Sequence, residues 1–158
     1  MPLIHSYSEK GTKNIGAKLA EVLIAKSRQS PAPQIILLFG DLGSGKTAFT
    51  QGFAGFLGVK RVLSPTFSII KSYSIKHKEY TRLFHVDLYR IKTLKELKNI
   101  VFFEEINKTG SITLIEWPNL VYKSLAQKKK SLKNKFLITK ICFNHGEQAN
   151  ERIISYTK

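Results

Sequence analysis

Residues 35–58 read "IILLFGDLGSGKTAFTQGFAGFLG", and the order of properties along this stretch decides the fold class. It opens with the end of "QIILLFG", a short and fully apolar run of the kind that forms a strand buried on both faces of a sheet. It closes with "GKTAFTQGFAGFLG", where Phe49, Phe53, Phe56 and Leu57 recur at helical spacing toward an inner face and Gly58 stands as the C-terminal cap. A strand, a glycine-rich turn and a helix in direct succession begin an α/β unit.

The turn itself carries chemistry. Gly40, Gly45, Lys46 and Thr47 satisfy the pattern Gly, four residues, Gly-Lys-Ser/Thr. Glycines let consecutive backbone N–H groups face inward, where side chains would obstruct a phosphate. A helix starting near Gly45 adds the positive end of its dipole. Lys46 is then a mobile charge for the β- and γ-phosphates, and the Thr47 hydroxyl is placed for the magnesium ion that bridges them. The run Asp41, Leu42, Gly43, Ser44, Gly45, Lys46, Thr47 and Ala48 is accordingly the expected nucleotide-binding loop.

Outward from the loop, "SEKGTKNIGAKLAEVLIAKS" carries Ile15, Leu19, Val22 and Leu23 at helical spacing, predicting a first helix over about 11–28. "TFSIIKSYSIKHKEYTRLFHVDLYR" alternates in the strand period on both sides of a polar "KHKE" turn, predicting two antiparallel strands. "TLKELKNIVFFEEIN" predicts one or two short helices, "SITLIEWP" a buried strand ended by Pro118, "NLVYKSLAQ" a turn or two of helix, and "KFLITKICFN" with "ERIISYTK" a final hairpin. The expected fold is a single α/β domain over 1–158 of the P-loop NTPase type. Its sheet is mixed and largely parallel, with the loop strand near its centre and helices and a β-hairpin at its flanks.

Composition bounds the rest. With 158 residues the chain encloses one core and leaves little room for a separate substrate domain. No apolar run approaches the roughly 20 residues of a membrane span, and "MPLIHSYSEKGTKN" lacks the apolar segment of a secretion signal, so a cytoplasmic protein without membrane association is expected. The lone Cys142, in "FLITKICFN", suits a buried strand, and the histidines His5, His77, His85 and His145 have no metal-ligand spacing. A net charge of +15, from 26 Lys and Arg against 11 Asp and Glu, attracts phosphates, RNA or an acidic partner. The "QKKKSLKNK" run at 127–135 has no interleaved aromatics for stacking on bases and also reads as a solvated loop.

A carboxylate at the end of a neighbouring buried strand completes a magnesium site in this architecture, and there are two candidates, Asp87 after "RLFHV" and Glu116 after "SITLI". Guanine-specific loops carry Asn-Lys-x-Asp, but "NKTG" at 107–110 ends in Gly110, and the third residue after Asp87 is Arg90 rather than a switch glycine. ATP is therefore the expected nucleotide.

Three further segments, "SPTFSIIKSY" at 64–73, "HVDLYR" at 85–90 and "LIEWP" at 114–118, follow "GDLGSGKT" in this order. Together they resemble the bacterial TsaE family, also called YjeE, over roughly Ser8 to Arg152. The resemblance implies a small ATPase of tRNA threonylcarbamoyladenosine synthesis, weak alone and stimulated by the TsaB–TsaD pair, which it resets between turnovers. It implies contact with tRNA only through that complex and a monomer in isolation. By the same resemblance Lys46 and Thr47 take the phosphate and magnesium positions, and Glu116 takes the other magnesium position. Asp87 orients the attacking water or the metal's waters, and Thr66 of "SPTF" senses the γ-phosphate in a switch-like loop. Trp117 lies beside the nucleotide, Thr12 near the adenine and Arg152 close to the nucleotide. The chain departs from the family at Val101 of "ELKNIVFFEEI", where a Gly is usual.

Two other functions share the loop. A small-molecule kinase adds an arginine-bearing lid, which residues 91–135 do not show, and would consume ATP with an acceptor without releasing phosphate. A nucleotide-gated RNA-binding module would bind tRNA tightly and salt-dependently without protein partners.

Overall fold

The computed structural model describes residues 3–26, 32–65, 68–93, 95–96, 108–122 and 137–157. Strand β2 (Gln34–Phe39) is buried through nearly all its length, as a run without polar residues between Ile35 and Phe39 requires. It sits at the middle of a seven-stranded sheet of order β1-β7-β6-β2-β5-β4-β3, where β1 is Leu3–Ser6, β3 Ile70–Ser74, β4 Arg82–Asp87, β5 Ser111–Glu116, β6 Leu137–His145 and β7 Arg152–Thr157. Strand β2 pairs in parallel with β5 and β6, and β5 in parallel with β4. The hairpins β3–β4 and β6–β7 are antiparallel, as is β1 against β7. The mixed, largely parallel sheet around the loop strand thus has the expected form.

Helices α1 (Glu9–Lys26) and α2 (Lys46–Phe56) pack together over one face. Leu19, Leu23, Phe49 and Phe53 meet Ile36, Leu38, Leu83, Leu114 and Phe143 there, while Ile35, Leu37, Phe84, Val86 and Ile115 form the core of the other face. The close approach of the two helices is made by glycines. A Cβ on Gly16 would run into the Phe49 carbonyl, and one on Gly52 into the Lys13 carbonyl.

Three expectations are corrected. Helix α1 starts at Glu9 rather than about Gly11, because the Ser8 hydroxyl accepts from Gly11 N at 3.0 Å and caps the first turn. Phe56, assigned to the inner face of α2, is exposed. At about 100° per residue the buried arc of α2 is centred on Phe53, Thr50 and Ala54, and Phe56 falls at its rim. Gly58 closes α2 as expected: it lies just past the C-cap Leu57 at φ 83°, with Gly58 N donating to Gly55 O and Val59 N to Ala54 O. Strand β1 was not expected at all, since "LIHS" buries only Ser6 fully and depends on β7 for its pairing. Residues 95–96 and 119–122 are helical, whereas most of the helical prediction at 93–107, Val101 and the Lys-rich run at 127–135 lie outside the described residues. None of the described helices is long and apolar enough to cross a membrane.

Candidate nucleotide site

The loop between β2 and α2 turns through Gly40, Gly43 and Gly45, all at positive φ. Gly45, at φ 99°, caps α2 without a side-chain bond, in a conformation that L side chains seldom adopt. An added Cβ would also press on Thr12 Cγ2 at 3.3 Å. The first-turn N–H groups of α2 lack intrahelical acceptors and so are available to a phosphate.

Lys46, though 4% exposed, is well satisfied: its Nζ donates to Gly40 O at 2.8 Å and to Asp41 O at 2.7 Å, and lies 4.2 Å from the centre of the Trp117 ring. Burial lowers the Lys46 pKa from its ordinary value, while Glu116, Asp87 and Asp41 pull it back up. The ammonium is thus held by backbone oxygens that a phosphate can replace.

Thr47 Oγ1 donates to Glu116, 3.1 Å from Oε1 and 3.3 Å from Oε2. A threonine hydroxyl has one proton and two lone pairs, so spending the proton on Glu116 leaves oxygen donors for a hard cation. The register of β4 on β5 sets Asp87 opposite Glu116, which puts both carboxylates at the C-terminal end of the central strands, beside the loop. Asp87 Oδ1 accepts from Tyr89 N at 3.0 Å. Among the described residues no three His, Cys, Asp or Glu side chains form a cage of their own for a metal. The hydroxyl and carboxylates here suit magnesium, which is typically shared between one or two carboxylates, waters and substrate phosphates.

A cleft of about 440 Å³ joins these groups, lined by Gly43 to Ala48, Asp87, Glu116 and Trp117, and also by Glu9, Gln51, Ser64, Tyr89 and Arg90. Trp117 adopts φ 56°, unusual for an aromatic residue, and its ring packs 5.0 Å from that of Tyr89. On the other side of the loop a second hollow is lined by Thr12 and Arg152 with Tyr7, Ser8, Glu9 and Asn150. Thr12 is buried and bonded to Ser6 Oγ at 2.9 Å, and Arg152 Nε donates to Gly43 O at 3.2 Å. The structure therefore brings Lys46, Thr47, Asp87, Glu116 and Trp117 into one cleft and sets Thr12 and Arg152 in the adjoining one. Asp41 and Leu42 are exposed at the loop tip, Ser44 is buried beneath it, and Thr66 lies outside the described residues. Glu9, Gln51, Tyr7 and Asn150 were not anticipated, because nothing in their local sequence distinguishes them from ordinary surface positions.

The loop, the central parallel strands and the threonine–carboxylate pair define a P-loop NTPase fold. Comparison with known proteins narrows the class. A family model described as "Threonylcarbamoyl adenosine biosynthesis protein TsaE" matches residues 6–151, and the chain belongs to the TsaE family. The TsaE protein of Rickettsia conorii is 32% identical over 151 residues, covering 91% of this chain and 79% of its own length. That of Bacillus subtilis is 40% identical over 96 residues, covering 60% and 57%. That of Borreliella burgdorferi is 38% identical over 90 residues, covering 57% and 64%, so the matches to these two span about three-fifths of each relative. The crystal structure of Bacillus subtilis YdiB superposes with a TM-score of 0.63 at 27% identity, covering 98% of this chain and 83% of that one.

Proposed function

We propose that this chain is the magnesium-dependent ATPase of tRNA threonylcarbamoyladenosine synthesis, working with the TsaB–TsaD pair in the cytoplasm. The observation that carries the reading is the convergence of Lys46, Thr47, Glu116 and Asp87 at one end of the central strands, in a chain of the TsaE family. Thr47 and Glu116, with Asp87 beside them, would hold a magnesium ion, which would supply charge neutralisation for the phosphates.

The residues of the chain do the rest. Lys46 exchanges the Gly40 and Asp41 carbonyls for phosphate oxygens and, with the first amides of α2, stabilises the negative charge that moves through the γ-phosphoryl group. Asp87 accepts a hydrogen bond from the attacking water and so orients it. Thr66 senses the γ-phosphate, Trp117 shields the Lys46 side, and Thr12 and Arg152 face the base and sugar. The cycle serves a partner's catalysis.

The test is phosphate release from ATP by the full chain, with and without purified TsaB–TsaD, for the wild type, Lys46→Ala and Glu116→Ala. Stimulation by the pair and a loss on the order of 100-fold in both variants are expected. Absence of stimulation, or wild-type turnover in Lys46→Ala, would overturn the proposal. Consumption of ATP only with a small acceptor would move the chain to the kinases.

A further inference from the structure

Among the described residues three buried side-chain polar atoms lack a partner, and one of them, His85 Nδ1, belongs to a ring whose other nitrogen touches the candidate site. His85 has no exposed surface, and its Nε2 lies 2.8 Å from Glu116 Oε1. The contact follows from the sheet. His85 and Asp87 are two residues apart on β4 and share a face, and because Asp87 pairs with Glu116 while His85 pairs with Leu114, His85 is the diagonal neighbour of Glu116.

Glu116 is 3% exposed, so little of its carboxylate is open to water, and an ionised carboxylate only accepts. Among the described residues its side-chain donors are the Thr47 hydroxyl and the His85 ring. A bond at 2.8 Å between Nε2 and that carboxylate requires the proton on Nε2. Rotation of the Glu116 carboxyl is thereby fixed from behind by His85 and from the front by Thr47.

We propose that His85 is a positioning residue for the metal end of the site: its Nε2–H holds Glu116 so that the carboxylate faces Thr47. The inference rests on the ATPase reading for the identity of the ion, and outer partners of this kind are commonly worth tenfold or more in metal affinity.

The experiment measures binding without turnover: the affinity of the full chain for ADP in magnesium and in EDTA, by calorimetry, for the wild type, His85→Leu and His85→Gln. His85→Gln restores a side-chain N–H near the Nε2 position. Magnesium should tighten ADP binding by the wild type. In His85→Leu that tightening should fall on the order of tenfold with the EDTA affinity little changed, and His85→Gln should recover most of it. Nitrogen-15 NMR of the wild-type imidazole should report the proton on Nε2.

A bare Nε2, an unchanged magnesium effect in His85→Leu, or an equal loss with and without magnesium would overturn the proposal. If His85→Leu does not fold, the glutamine variant and the wild-type imidazole spectrum decide it. A wild type that binds ADP with no magnesium effect fails the ATPase reading. A wild type with the effect and a leucine variant that keeps it fail this inference alone.

Discussion

At Lys46, Thr47 and Asp87 the chemistry is separable into single groups. Burial is the leading influence on Lys46 and lowers its pKa, so on raising the pH the ammonium is lost sooner than that of an exposed lysine. The charged form is the one that holds phosphate, so nucleotide affinity should fall as pH rises through the lowered value, and a titration of ADP affinity from neutral to alkaline pH checks the direction. Thr47→Val removes both the hydroxyl proton for Glu116 and the lone pairs for the metal. It should abolish most of the magnesium dependence of binding, whereas Thr47→Ser should keep it. Asp87→Asn should lower phosphate release on the order of 100-fold with ADP affinity held within a few-fold, because the role proposed for it falls on the water rather than on the nucleotide. A parallel loss of ADP affinity would contradict that division.

At the scale of elements, the position of the loop depends on how α1 lies on α2. Gly52 faces the Lys13 backbone so closely that no Cβ fits, and Gly16 faces Phe49 in the same way. Gly52→Ala should therefore destabilise the fold by about 1–3 kcal/mol through overpacking, against the small gain in helix propensity that an exposed position would show. Thermal unfolding should register this as a drop of several degrees. An unchanged midpoint would mean that the helices can separate at no cost. Ser8 and the two glycines also show why helix periodicity alone misplaced α1: a hydroxyl and a missing side chain set its start and its distance from α2, and neither is an apolar signal.

At the scale of the whole molecule, β1 closes one edge of the sheet on β7, and His5 pins it. His5 Nδ1 lies 2.7 Å from Glu151 Oε1, and that hydrogen bond is the first cause of the lowered Glu151 pKa, with Glu147 N and Gln148 N adding to it. A carboxyl whose folded pKa is depressed contributes stability that is complete above its unfolded pKa and is lost as pH falls through the folded one. His5→Ala reduces the depression, so acid unfolding followed by circular dichroism should begin at a higher pH than in the wild type. An identical acid limb would show that β1 is held without His5.

The amino-acid sequence by itself determined the phosphate loop, the buried strand before it and the two carboxylates at later strand ends. Each of these is local, since "GDLGSGKT" needs only its own glycines to turn and "RLFHVD" and "SITLIE" need only their own apolar runs to be strands. The tertiary structure decided which groups meet. Parallel pairing of β4, β5 and β2 sets Asp87 opposite Glu116, aims Glu116 at Thr47, and places His85 diagonally behind it. Contacts between residues 31 and 69 positions apart depend on strand order and register, which the packing of the whole sheet sets. Strand β1, Glu9 and Asn150 were illegible for the same reason: their roles come from what lies beside them in the fold.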